Sequence, residues 1–265
     1  MANGFNRNDN EETYAANGGR VGTDMSLSDR IYRTPAVHIA LFSAIAGAAL
    51  CLLTAIVILI CGFRISSDTD PEGNIMRFAG ITSDGSPSMG ILYLPDGEWA
   101  WVSGGRVKFS DGRRYSGQMD GLKISGEGSL TDAYGNVYSG YFIDGRLEGD
   151  GSVLYADGSA YVGGFKEGLQ DGYGEYSGTD GSSYKGNYVK GERTGYGVLT
   201  YPDGSVYKGS FENDMRHGQG SYTFASGDCY TGQFRNNLIW GQGSYFFVSG
   251  RVFTGEFQNG IPVIE

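Results

Sequence analysis

Two histidines, three cysteines, recurrent Asp-Gly pairs and recurrent Gly-x-Gly are the parts of this sequence that could do chemistry. His217 has no counterpart in the units around it, where Thr194 and Trp240 hold the equivalent place. It therefore reads as a hydrogen-bonded loop histidine and not as a general base. His38 sits at the edge of an apolar run. Cys229 stands where Val137, Ala160, Ser183, Val206 and Val252 stand elsewhere, so it reads as a small packed residue rather than a nucleophile. Cys51 and Cys61 lie in the apolar run, and no pair of cysteines has metal-ligand spacing. Asp157-Gly158, Asp180-Gly181 and Asp203-Gly204 carry the charge that calcium favours. A calcium site takes roughly six or more converging oxygens, and each of these turns offers one carboxylate. Gly-x-Gly without a strand leading into a helix is no phosphate loop. The expectation is no catalytic residue, no metal and no cofactor.

The elements that carry these residues are set by a period. Aromatics open successive units at Tyr115, Tyr138, Tyr161, Tyr184, Tyr207, Tyr230 and Phe253, each 23 positions after the last (138 − 115 = 23). A fixed period without insertions marks a repeat architecture. Counting each opening aromatic as position zero, position two is always Gly (117 through 255), and position four is Met119, Phe142, Phe165, Tyr188, Phe211, Phe234 or Phe257. Alternate residues of a strand share a face, so rings and glycine lie together and polar residues such as Lys208 and Ser210 face the other way. Positions eleven and thirteen are again Gly in the complete units, as at Gly218 and Gly220, and position fifteen is apolar. Glycine weakens a strand unless something approaches closely. These glycines are expected to leave room for large rings lying flat across the sheet.

Both connections read as tight turns. Asp144-Gly145, Glu167-Gly168, Lys190-Gly191, Asn213-Asp214, Asn236-Asn237 and Asn259-Gly260 suit two-residue hairpins with positive φ. Tyr201-Pro202-Asp203-Gly204 suits a type I turn closed by a left-handed residue. Two hairpin turns per unit give an antiparallel meander.

Residues 1–35 are polar and Gly/Asn-rich and read as a disordered tail. The apolar stretch 36–63, uninterrupted from Val37, is expected to be a transmembrane helix, and the polar 64–77 a linker. Arg20, Arg30 and Arg33 precede the helix against Arg64 and Arg77 after it, which leans toward a single-pass protein with a cytoplasmic N-terminus and the repeats outside. Residues 78–114 read as degenerate capping repeats, opened by Phe78-Ala-Gly80, and 115–265 as the regular array. The chain carries a net charge of −10. A balance of that sign argues against nucleic acid and against direct binding of the repeats to anionic lipid.

Units of this length that read Tyr-x-Gly-x-Phe…His-Gly-x-Gly, as in Tyr207-Lys-Gly-Ser-Phe211 and Arg216-His-Gly-Gln-Gly220, resemble MORN repeats (membrane occupation and recognition nexus). The resemblance implies an all-β fold: an elongated single-sheet antiparallel β-hairpin array, here preceded by one transmembrane helix. It also implies non-catalytic binding of protein partners, self-association, or contact with phospholipid. His-Gly-x-Gly occurs once and the repeats are acidic, both of which depart from a lipid-binding pattern.

The expected function is a membrane-anchored, non-catalytic scaffold or binding module for protein partners or for itself. The alternatives are a phospholipid-tethering module and an extracellular glycan- or calcium-dependent adhesin. The candidate binding surface is an aromatic face comprising Trp99, Trp101, Phe142, Phe165, Tyr188, Phe211, Phe234 and Trp240. The competing reading is that the rings at positions zero and four are the core of a curved sheet.

Overall fold

The computed structural model describes residues 35–60 and 62–264, with side chains described at 43–56 and from 62 onward. The expected tail falls outside the described residues, apart from Pro35. The chain divides into two units, Met1–Val57 and Ile58–Glu265.

In the first unit, helix α1 (Pro35–Ile60) opens on a proline, whose fixed φ and missing N–H suit the first helical turn. Its described side chains, 43–56, include exposed Leu50, Leu52 and Leu53. Among the described residues no helix is long and apolar enough to cross a membrane. The single-pass localisation expected from 36–63, and the orientation drawn from it, are corrected accordingly.

The second unit is one antiparallel sheet. Its nineteen described strands run in chain order: β1 Phe63–Thr69, β2 Ile75–Ser83, β3 Ser86–Tyr93, β4 Trp99–Ser103, β5 Arg106–Phe109, β6 Arg114–Asp120, β7 Lys123–Thr131, β8 Val137–Ile143, β9 Arg146–Leu154, β10 Ala160–Lys166, β11 Leu169–Ser177, β12 Ser183–Val189, β13 Glu192–Thr200, β14 Val206–Glu212, β15 Met215–Thr223, β16 Cys229–Arg235, β17 Leu238–Phe246, β18 Val252–Gln258 and β19 Ile261–Pro262. Each pairs with its neighbours in sequence, from β1 with β2 to β18 with β19. The expected linker 64–77 is a second correction. Ser66 pairs with Phe78 and Asp68 with Met76, and the intervening turn is closed by Asn74 N–H donating to Asp70 Oδ1 at 2.7 Å. A polar edge strand with most of its side chains in water has the composition of a linker, which is why the sequence reads as one.

The hairpin turns follow the residues. Asp144, Glu167, Lys190, Asn213, Asn236 and Asn259 have φ between 48° and 52°, each followed by another left-handed residue. Both central residues with positive φ define the turn whose twist matches a hairpin. At the other end of the unit, Gly204 has φ 82° and donates its N–H to the Tyr201 carbonyl, while Asp203 Oδ1 accepts the Ser205 N–H and hydroxyl. Those two bonds, the side-chain one foremost, hold the Asp203 carboxyl below the usual carboxylate range.

Candidate functional site

The inner face of the sheet is built around five tyrosines. Tyr115, Tyr161, Tyr184, Tyr207 and Tyr230 are 0–2% exposed. Each ring lies across two glycines on adjacent strands. A Cβ on Gly220 would stand 2.6 Å from the Tyr207 ring, and one on Gly174 2.4 Å from the Tyr161 ring. Real Cβ atoms do not approach so closely, so positions two and thirteen admit only glycine while the ring is in place. Phe78 does the same over Gly80 and Gly90, so the degenerate opening keeps the device. In the unit that begins at Tyr138 the leucine Leu147 covers Gly140 and Gly151, and the Tyr138 hydroxyl turns instead to Asp132 at 3.3 Å.

Glycine at position eleven has a different task. Gly126, Gly149, Gly172, Gly195, Gly218 and Gly241 have φ between 61° and 98° where the register shifts. In the β14–β15 pairing, as in three others, the shift passes over one residue on the facing strand, here Ser210. The buried tyrosine satisfies that residue's carbonyl: Tyr207 Oη donates to Ser210 O at 2.8 Å and Tyr115 Oη to Gln118 O at 2.7 Å. Tyr161, Tyr184 and Tyr230 make the same bond at 3.1–3.3 Å. Burial, the leading cause, pushes the Tyr161, Tyr184 and Tyr207 hydroxyls up to about 12.

The residues at position four interlock with these tyrosines edge to face. Tyr161–Tyr188, Tyr184–Tyr188, Tyr184–Phe211, Tyr207–Phe211, Tyr207–Phe234 and Tyr230–Phe234 have centroids 4.9–5.3 Å apart with planes at 77–90°. Each such pair contributes about 0.5–1.5 kcal/mol beyond area burial. Phe142, Phe165, Tyr188, Phe211 and Phe234 are only 1–5% exposed. These five sequence candidates are therefore core, and the structure corrects their assignment to an open binding face.

The tryptophans lie elsewhere. On β4, Ala100 and Val102 are fully buried, while Trp99 and Trp101 are 49% and 45% exposed. Val102 pairs with Val107 and Val107 with Tyr115, which places the small residues on the tyrosine face. Trp101 pairs with Lys108 and Trp99 with Tyr93, on the outward face. The eight candidates thus divide between two sides of the sheet. Trp240 on β17 is half-buried, with the Arg235 guanidinium 5.4 Å above its ring. The sequence reading missed Tyr93, which is 49% exposed beside Trp99, and Tyr173 and Tyr196, 60% and 63% exposed at the bulges. Their signal was placement: Tyr173 and Tyr196 occupy the x of Gly-x-Gly, where a bulge turns the side chain outward.

His217 Nδ1 lies 3.5 Å from Glu212 on an open surface, and Cys229 is half-buried with its thiol against the Tyr230 carbonyl. Among the described residues no group of three or more His, Cys, Asp or Glu could hold a metal.

Comparison with known proteins places five MORN repeats in the chain, at residues 138–160, 161–183, 184–206, 207–229 and 230–250. The matched residues run from β8 to β17, and the MORN repeat family is non-enzymatic in general. No match was found among curated proteins. Among solved structures, the chain is similar to the TCP domain of SAS-4 (dCPAP) of Drosophila melanogaster, solved with a proline-rich motif of Ana2 (dSTIL). The identity is 11% and the TM-score 0.31, over 72% of this chain and 88% of that one. It is similar also to the TCP10 domain of Danio rerio CPAP, at 12% identity and TM-score 0.32, over 74% of this chain and 99% of that one. Neither overlap is close enough to speak to partner or activity.

Proposed function

We propose that the five MORN repeats form the stiff body of a non-catalytic scaffold that binds a protein partner, and that the outward face of β3–β5 is where it docks. One observation carries the reading. In a sheet whose repeated rings are buried to within a few per cent, Tyr93, Trp99 and Trp101 are each nearly half exposed and share one face. Trp and Tyr with a desolvated body and a polar edge are the side chains that dominate protein interfaces. Their exposure gives the fold nothing, since the inner side of β4 is already filled by Ala100 and Val102. The repeats' part is rigidity: each added hairpin extends one continuous ladder of backbone hydrogen bonds and interlocked rings.

The test compares the full chain with its Trp99→Ala/Trp101→Ala variant as bait for crosslinked partners, a second copy included. Because both rings stand in water, the variant keeps its melting temperature within a few degrees. The reading requires that it lose the specific partners. A variant that melts like the parent and recovers the same proteins rules this face out.

A further inference from the structure

Beside Trp101 the outward face forms a shallow depression of about 450 Å³ whose charged lining is Arg106, Lys108 and Arg114. No carboxylate lines it. All three cations are exposed, and none makes an ion pair or side-chain hydrogen bond among the described residues. Neighbouring cations are engaged: Arg113 meets Glu98 at 2.9 Å and Lys123 meets Asp144 at 3.5 Å. Lys108 and Arg114 stand directly opposite each other on β5 and β6. Like charges in that relation destabilise a strand pair. In a chain with ten more acidic than basic residues, a carboxylate opposite either one would be an easy remedy. The hydroxyls of Ser116 and Thr131 complete a lining rich in hydrogen-bond donors.

We propose that this depression recognises an acidic polypeptide segment. Its carboxylates would lie on Arg106, Lys108 and Arg114, and an apolar side chain would lie against Trp101. The inference rests on the docking face proposed above and names the chemistry of what docks there. Charge complementarity selects the occupant. Arginine holds a carboxylate bidentately, and an oppositely charged partner is steered to such a patch. A bilayer or a long nucleic acid would extend past the three cations over the rest of a chain whose net charge is −10. A short acidic segment neutralises the cations and stops.

The experiment uses the full chain and a labelled peptide of alternating Glu and Leu, followed by fluorescence anisotropy at low salt. The same peptide with Lys for Glu, phosphatidylserine vesicles and duplex DNA are run beside it. The acidic peptide binds, salt weakens it, and the lysine peptide does not bind. Lys108→Glu lowers affinity about tenfold, the loss expected when a complementary charge becomes a repulsive one. It does so without lowering the melting temperature, since it removes the repulsion facing Arg114. Trp101→Ala weakens binding while leaving the salt dependence in place. Equal binding of the lysine peptide, indifference to Lys108→Glu, or binding of vesicles or DNA in place of the peptide overturns the proposal. If Lys108→Glu has no effect while Trp99→Ala/Trp101→Ala still removes captured partners, the acidic class falls and the docking face stands. If the tryptophan variant also keeps its partners, both fall.

Discussion

From β8 to β18 the strands alternate strictly between seven and nine residues, whereas β4 and β5 have five and four. The difference in rhythm goes with a difference in where bulk is placed. In the repeats, glycine pairs bring two backbones under one ring, and the rings of positions zero and four lie inside. On β4 and β5 no glycine pair exists; Ala100, Val102, Val107 and a single ring, Phe109, fill the inner side, while Trp99, Trp101 and the long cations stand outside. The same alternation of strand faces therefore produces a ring-filled core in one region and an exposed face of tryptophans and cations in the other. Regularity hides the rings at positions zero and four, though not those at the bulges, Tyr173 and Tyr196; at the N-terminal end of the sheet Trp99 and Trp101 are displayed without a bulge.

The largest effect that this contrast implies is between two aromatic truncations. Tyr207 is wholly buried, touches Phe211 and Phe234, and caps a carbonyl, so Tyr207→Ala should cost about 3–5 kcal/mol, as for other buried rings. Trp101→Ala, nearly half exposed on a face with nothing packed over it, should cost less than about 1 kcal/mol. Urea midpoints for the two variants decide the matter. Comparable losses would mean that the two regions are not built differently.

Smaller, and specific to the ring-over-glycine device, is Gly220→Ala. The new methyl would collide with the Tyr207 ring at 2.6 Å, and overpacking of this kind costs about 1–3 kcal/mol. At Gly220 the backbone itself accepts alanine, since its φ is not in the left-handed region. Pairing Gly220→Ala with a smaller residue at 207 should therefore recover part of the loss. Strict additivity of the two substitutions, measured as a double-mutant cycle, would show that the ring does not depend on the glycine.

Much of the repeat region could be read from residues alone, because each feature has a local cause. The 23-residue period, Asn and Gly in the first turn, Asp-Gly in the second, and glycines as room for rings all have counterparts in the structure. What could not be read depends on context. Whether Phe211 and its equivalents are open or packed is decided by rings from neighbouring units. Which side of the sheet Trp101 takes is decided by the register of short strands that have left the period, and Val102–Val107–Tyr115 fixes it. Residues 64–77 read as a linker because β1, which they include from Arg64 on, is an edge strand that need bury little on either face. The depression beside Trp101 lies across β4–β7, and its three cations are scattered in sequence among residues of no evident pattern.

A third contrast appears only in alkali. Tyr161, Tyr184 and Tyr207 are neutral in the folded state and raised to about 12, against 10.0 for a free tyrosine, mainly by burial. A raised pKa contributes stability that is complete below the unfolded value and is lost as pH rises through the folded one. The array should therefore hold to about pH 10 and weaken between about 10 and 12, with tyrosinate absorbance and loss of sheet circular dichroism rising together. Trp99 and Trp101, which do not ionise, report the other region, and their fluorescence environment changes when the whole sheet yields. Ionisation of the buried tyrosines near pH 10 without loss of sheet would mean that the inner face is open to water.

The smallest effect has the opposite sign. Lys108 and Arg114 face each other across β5 and β6 with no carboxylate to relieve them, so Lys108→Glu should stabilise the protein by about 0.2–1 kcal/mol. Few substitutions at random surface positions stabilise, so the sign is informative even where the magnitude is modest. Salt offers the control. Screening weakens both the original repulsion and the new attraction, so the gain should shrink as ionic strength rises. The equivalent change in the array is Lys185→Glu. It would break the 2.8 Å contact with Glu175 and place two carboxylates together, so it should destabilise by a similar amount. If both substitutions move the melting temperature the same way, the cations of β5 and β6 are ordinary surface charges. Opposite signs mean that folding alone does not explain why Lys108 is a lysine, and the patch is kept in a repulsive state that a bound carboxylate relieves.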